Sequence, residues 1–365
     1  MLAKLNIPIP FELTMPDGAE YRLYSFKAEG FEVKFDMPGR LEKPPASTST
    51  SPAQVVLLDD KPAIQADILR IEFRKEAFER RIGTPIDPPE AMIQEVLDYF
   101  IGRLRYASSG FQVRPTRFPN CLWSLQYLND DATELAPQPG YLRVRGSVKQ
   151  SISLLVCEPR LWDFIFSLPS SFEPPAWHTL LLDSRASLPH VGTVVVLAAT
   201  ALEVFIAGLL AALVHDINMP DHLWEWINDR DNDHYKQPSV AEQFDTLLRV
   251  ITGHSLKEES ELWKGFQELK SARNNFVHRG VARVGKASSD LSENEALALI
   301  GQADAIVAKI REWIPEEHRW PLYSHKTRVQ FTMPLNPHFV LDRPPVTQAS
   351  LASPDSDGAL QEPGE

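Results

Sequence analysis

Proline placement constrains this chain more than any other feature. Of its 30 prolines, 28 fall in residues 1–189 and 315–365, and only Pro220 and Pro238 interrupt 190–314. Proline donates no backbone N–H and breaks helix interiors. The proline-poor block therefore predicts a helical domain set inside a less helical chain. At 365 residues two domains are expected rather than one.

The first half reads as an α+β domain over 1–168. Residues 21–37 alternate in places and break at Gly30, which suggests two short strands. A Pro/Ser/Thr-rich loop follows at 41–52, then a strand at 66–75. Residues 89–108 form a helix: Ile93, Val96, Leu97, Phe100, Ile101 and Leu104 make one apolar stripe behind Pro88 and Pro89. Strands are expected at 121–128 and 141–149, and a short helix at 159–168. Residues 169–189, with Pro174, Pro175 and Pro189, read as a linker. Four helices are then expected near 190–215, 239–252, 257–278 and 292–313. Their boundary signals are a possible N-cap at Ser239, a stop at Gly280, the capping-box pattern Ser292-x-x-Glu295 and a break at Pro315. The expected architecture is thus an α+β domain followed by an all-α bundle of four to five helices at 190–314. A C-terminal extension (315–345) with a strand at 327–333 follows. The last segment, 346–365, carries four acids and no base, and reads as a disordered acidic tail.

Within the bundle, residues 191–214 carry a single charge, Glu203. That length could span a bilayer. A mid-span acid costs roughly 2.5–3.5 kcal/mol on insertion scales, and the nearest basic residues are Arg185 and Arg230. The expectation is a helix buried in a bundle or dimer interface, with no membrane. Two cysteines, Cys121 and Cys157, make neither a disulfide scaffold nor a zinc site, and no secretion signal is read at the N-terminus. A cytoplasmic protein without metal or cofactor is expected. Asp229-x-Asp231-x-Asp233 opens like a calcium loop, but His234 and Val240 occupy the turn-glycine and bidentate-Glu positions.

The informative segment is LWKGFQELKSARNNFVHRG at 262–280. Its apolar stripe is Leu262, Phe266, Leu269 and Phe276, and Arg273 falls within about 20° of Leu262 on a helical wheel. A guanidinium in a core-facing stripe is costly unless it is paired or aimed at an anion. Glu203 is the obvious partner, so one reading is an Arg273–Glu203 bridge with no catalysis. Against it, six bases (Lys264, Lys270, Arg273, Arg279, Arg283 and Lys286) surround one acid, Glu268, although the whole chain carries −12. Asn274 and His278 share a helix face. A basic cluster around an Arg/Asn/His set fits a phosphate ligand.

Arg273-Asn274-x-x-x-His278 resembles the Arg-polar-x-x-x-His signature of HEPN domains, the nucleotide-binding and ribonuclease superfamily. The Ala201-Leu202-Glu203 triplet, the WHTLLLD lead-in at 177–183 and the motif's place near the end of the third helix are similar too. The resemblance covers about 177–314 and implies a metal-independent endoribonuclease. His278 would act as general base on the RNA 2′-OH, with Arg273 stabilising the transition state and Asn274 positioning. Glu203 would orient Arg273, and Lys270, Arg279, Arg283 and Lys286 would bind RNA. The products would be 2′,3′-cyclic phosphate and 5′-OH ends. The resemblance further implies a homodimer pairing two motifs, and a role in toxin or anti-phage systems with an unknown trigger sensed by the first domain. The alternative is a non-catalytic HEPN module that binds nucleotide or RNA or only dimerises. Arg273 and His278 lie about 140° apart on an ideal helix. They converge only if the helix distorts near 275–277 or the arginine reaches around.

Overall fold

The computed structural model describes residues 2–28, 31–39, 55–74, 89–118, 124–128, 155–228, 238–285, 289–325 and 329–332. Its elements are β1 (Leu2–Pro16), β2 (Tyr24–Ala28), β3 (Phe31–Gly39), β4 (Val55–Leu58), β5 (Lys61–Arg74), α1 (Glu90–Ser108), β6 (Ser124–Leu128), β7 (Leu155–Val156) and α2 (Pro159–Ser167). Then come α3 (Ala176–Ala186), α4 (Val191–Leu213), α5 (Asp221–Asn228), α6 (240–252, with a π turn at Gln243–Leu247), α7 (Ser260–Arg279), α8 (Glu293–Trp313) and β8 (Val329–Thr332). A β-rich region is thus followed by a helical one. The expected strand at 141–149 and the 346–365 tail lie outside the described residues, as does the 229–233 loop.

The sheet runs β2-β3-β5-β1-β6 with antiparallel neighbours, and β7 joins β1 in parallel. Alternation places Leu5, Ile7, Ile9, Phe11, Leu13 and Met15 of β1, with Phe31, Val33 and Phe35 of β3, in one buried layer. The α1 stripe covers that layer, and Phe100 packs against Phe35 and Trp162, with ring centroids 5.2 and 5.4 Å away. Arg103 of α1, only 1% exposed, extends its guanidinium to the end of α2. It donates to the carbonyls of Ile165 (3.3 Å), Leu168 (2.9 Å), Pro169 (2.6 Å) and Ser170 (3.2 Å). One guanidinium thereby satisfies carbonyls that a helix end leaves without N–H partners.

The 169–189 stretch corrects the linker expectation, because it carries α3. Its prolines flank the helix instead of interrupting it: Pro175 is the N-cap residue and Pro189 follows the C-terminus. Proline is tolerated at such boundaries. Of the expected extension at 315–345, the described residues 315–325 and 329–332 pack on both regions. Tyr106 donates its hydroxyl to the Pro321 carbonyl, Trp320 packs on Trp177 and Phe205, and β8 pairs antiparallel with β4. The helical region is therefore an insertion between α2 and β8 of the β-rich region.

Within that region α4 is the central element. Among the described residues it is the one helix long and apolar enough to cross a membrane. Val194, Val195, Ala198, Leu202, Phe205, Ile206, Leu209 and Leu210 are instead buried against α3, α7 and α8. The expected Ser292/Glu295 capping box opens α8, and Ser239 caps α6 as expected, there completing a box with Glu242; a third box at Ser255/Glu258 precedes α7.

Candidate functional site

The motif lies on the last two turns of α7, whose rotation is fixed by two close approaches. A Cβ on Gly265 would come within 2.9 Å of the Gln302 side chain on α8, and one on Gly192 within 2.0 Å of the Phe276 ring. Only glycine lets the first turn of α4 sit against Phe276, which lies between Arg273 and His278 in sequence. The helix stays regular to Arg279 and ends at Gly280, whose φ of 74° needs the left-handed region that glycine enters freely. No distortion near 275–277 therefore brings Arg273 and His278 together.

The arginine bonds its sequence neighbour instead. Arg273 is half-buried, and its Nη1 donates to Asn274 Oδ1 at 3.1 Å. With Arg273 at 0°, Asn274 falls near ~100° and His278 near ~140° on the wheel. The bond draws the guanidinium toward the histidine face. Its Nε is sealed from solvent without a partner. His278 is exposed.

Glu203 does not reach this arginine: the structure forms no Arg273–Glu203 ion pair, and the expected orienting role is not realised. The helix rise supplies the reason. The first turn of α4 meets the motif at Gly192, and Glu203 lies eleven residues further on, about 16 Å along the axis. Arg273 is only three residues, about 4.5 Å, from Phe276.

The remaining cations are similarly without acids. Lys264 and Arg279 are exposed, and Lys270 and Arg283 half-buried. Among the described residues none of these four, nor Arg273, forms an ion pair. Arg105, Arg185, Arg249, Lys257 and Lys309, by contrast, pair with Asp183, Asp304, Asp245 or Glu258, Asp245, and Glu259 or Glu312. Lys286 lies outside the described residues.

Two residues that the motif reading passed over organise the loop after the helix. Asn275 Nδ2 donates to the carbonyls of Arg283 (2.8 Å) and Gly285 (3.2 Å), and Ser271 Oγ accepts from the Gly285 N–H at 2.9 Å. The signal in the sequence was their i, i+4 spacing, which puts both on one helix face.

One other cluster tests the expectation of no metal. Donor atoms of Asp59, Glu158 and His325 come within 4.8 Å of one another. Arg160 Nη1 lies 3.2 Å from His325 Nδ1 and can only donate, so the proton of a neutral imidazole sits on Nε2, facing Glu158 Oε2 at 3.4 Å. Tyr323 donates to the other oxygen of Glu158. A protonated Nε2 offers no lone pair to a cation, and the arginine repels one. The cluster fits a clasp holding the C-terminal segment to α2 rather than a metal site. Comparison of the chain with protein-family models, with curated proteins and with solved structures returns no match.

Proposed function

We propose that the chain is a metal-independent endoribonuclease of the HEPN type, acting through Arg273, Asn274 and His278. The observation that carries this reading is the set of cations without acids on and after α7, beside an exposed imidazole, with the Nε of both Arg273 and Arg283 sealed without a partner. Desolvated or clustered guanidinium groups without carboxylates are costly, and a polyanion relieves that cost. In the proposed reaction neutral His278 removes the proton of a ribose 2′-OH. The O2′ atom bonds to the adjacent phosphorus, the P–O5′ bond breaks, and the leaving oxygen takes a proton. Arg273 holds the phosphoryl oxygens as charge builds on them, and Asn274 keeps its guanidinium on the histidine face.

One motif supplies one histidine, and the leaving oxygen needs an acid. A homodimer placing a second His278 opposite the first would supply it. Val204, Ala207, Gly208, Ala211 and Ala212 on the outer face of α4 are exposed and uncharged, a surface for self-association that lies further along α4 than the motif contact at Gly192. The β-rich region would then house a sensor for a trigger.

The test is incubation of labelled RNA with the full-length protein in EDTA, beside Arg273→Ala and His278→Ala. Cyclic-phosphate ends from the wild type alone are expected. Cutting that survives His278→Ala, or that requires a divalent metal, would overturn the reading, as would absence of both cutting and growth arrest on overexpression.

A further inference from the structure

Resting on the ribonuclease reading, we propose that Arg283 is a second phosphate-binding guanidinium, which Ser271 and Asn275 hold on the His278 face. Its target is an RNA phosphodiester next to the one being cut. Helix geometry carries the first part. Taking Arg273 as 0°, His278 falls near ~140°, Ser271 near ~160° and Asn275 near ~200°. These three make one polar face, with Asn274 at its edge.

The second part comes from the path of the chain. Gly280 and Gly285 both adopt left-handed backbone, with φ of 74° and 59°. Between them the chain doubles back over the polar face. The three hydrogen bonds from Asn275 and to Ser271 pin it there, and the Leu291 N–H closes the base of the loop on the Ala282 carbonyl at 2.8 Å. Asn275 is three residues before His278, about 4.5 Å along the axis. Arg283, whose carbonyl Asn275 grips, therefore leaves the backbone within one helical turn of the histidine.

Electrostatics supplies the ligand. Arg283 is half-buried, its Nε is sealed without a partner, and no acid among the described residues pairs with it. Arg273 starts from the opposite side of the helix, with its Nε likewise sealed, and its bond to Asn274 turns the guanidinium toward the edge of this face. Two partly desolvated guanidinium groups without carboxylates raise each other's cost, and two phosphates of one strand relieve both. Ser271 and Asn275 are positioning residues here, because they touch only the loop backbone.

The experiment uses the full-length protein and a fluorescent 2′-O-methyl RNA strand, which binds but cannot be cut. Affinity is followed between about 50 and 200 mM salt, where each phosphate contact to a single strand contributes a log–log slope of about 0.7. Arg283→Ala is expected to lower the slope by about one such contact, and Arg283→Lys to preserve the slope. Asn275→Ala is expected to weaken binding although it removes no charge. Combining it with Arg283→Ala should cost no more than Arg283→Ala alone. A purely structural role would lower the melting temperature without moving the slope. If Arg273→Ala lowers affinity and slope while Arg283→Ala leaves both at wild-type values, Arg283 is not a phosphate contact and the ribonuclease reading stands. If Asn275→Ala binds like the wild type, the positioning role falls. If the wild type neither binds nor cuts RNA, the parent reading fails and takes this proposal with it.

Discussion

His178 should make the stability of this protein depend on pH in a way that one substitution can isolate. The residue sits on the first turn of α3, where the inserted bundle meets α1. Its ring packs edge-on against Tyr106 and Trp177, with centroids 4.9 and 5.5 Å away, and its Nδ1 is sealed without a partner. Burial, with Arg185 and Arg105 nearby, pushes its pKa down to about 4. In the unfolded chain an imidazole titrates near ~6.5. Between these values the unfolded state binds more protons than the folded one, so stability rises with pH. The contribution is complete above about 6.5 and is lost as pH falls toward 4. Integrating that linkage from pH 7 to pH 5 gives a loss of about 2 kcal/mol from this group alone. Carboxylates titrate in the lower part of the range, so the comparison is with His178→Phe, which keeps an aromatic ring but binds no proton. Urea unfolding of both proteins at the two pH values, followed by tryptophan fluorescence, measures the difference. The gap between them should shift by about 2 kcal/mol in favour of the variant on acidification. A gap that stays constant within about 0.5 kcal/mol, or an imidazole that titrates near its ordinary value by NMR, would refute the reasoning.

Arg103→Met should leave the carbonyls of Ile165, Leu168, Pro169 and Ser170, at and just beyond the end of α2, without this donor, at about 1–3 kcal/mol for each that stays dry. Thermal unfolding checks it, and a loss below about 1 kcal/mol would mean that water replaces the guanidinium. Gly192→Ala should force the Phe276 ring aside and cost about 1–3 kcal/mol, with RNA cutting reduced in the same protein. Adding Phe276→Leu should restore part of the stability, and a Gly192→Ala protein as stable and active as the wild type would contradict the close approach. Gly280→Ala meets no atom within 4 Å, so only backbone strain of about 1–2 kcal/mol is expected. A much larger loss by urea unfolding would point to a contact beyond the backbone.

Legibility in the sequence followed how local the physics was. The α1 stripe, the Ser292/Glu295 box and the Gly280 stop depend on residues a few positions apart, and each stands where its pattern put it. β1 was illegible because Pro8 and Pro10 argue against a strand. Both lie where the β1/β5 register slips, between Pro8 paired with Ile68 and Leu13 paired with Ala66, so the missing donors coincide with a broken ladder. α3 was hidden by prolines that turned out to be its boundaries. At the candidate site, residue types and helix face could be read, including the 140° separation of Arg273 and His278. The Asn274 bond that partly closes this angle, and the distance of Glu203 from Arg273, depend on side-chain conformation and on how α4 crosses α7. Neither is encoded in spacing. The roles of Ser271 and Asn275 depend on where a loop returns, which is a tertiary property.

The pairing of β8 with β4 has a mechanical consequence. A domain strung on one tether can swing freely, whereas one spliced into its neighbour is gripped at both ends. Here the entry into α3 and the exit from α8 both return to the same scaffold. A deformation of that scaffold would load the two grips together, as torque across the bundle. The bundle core runs along α4, whose first turn carries Gly192 against Phe276. The close approach of Gly192 and Phe276 thus ties the central helix of the doubly held bundle to the middle of the Arg273–His278 segment.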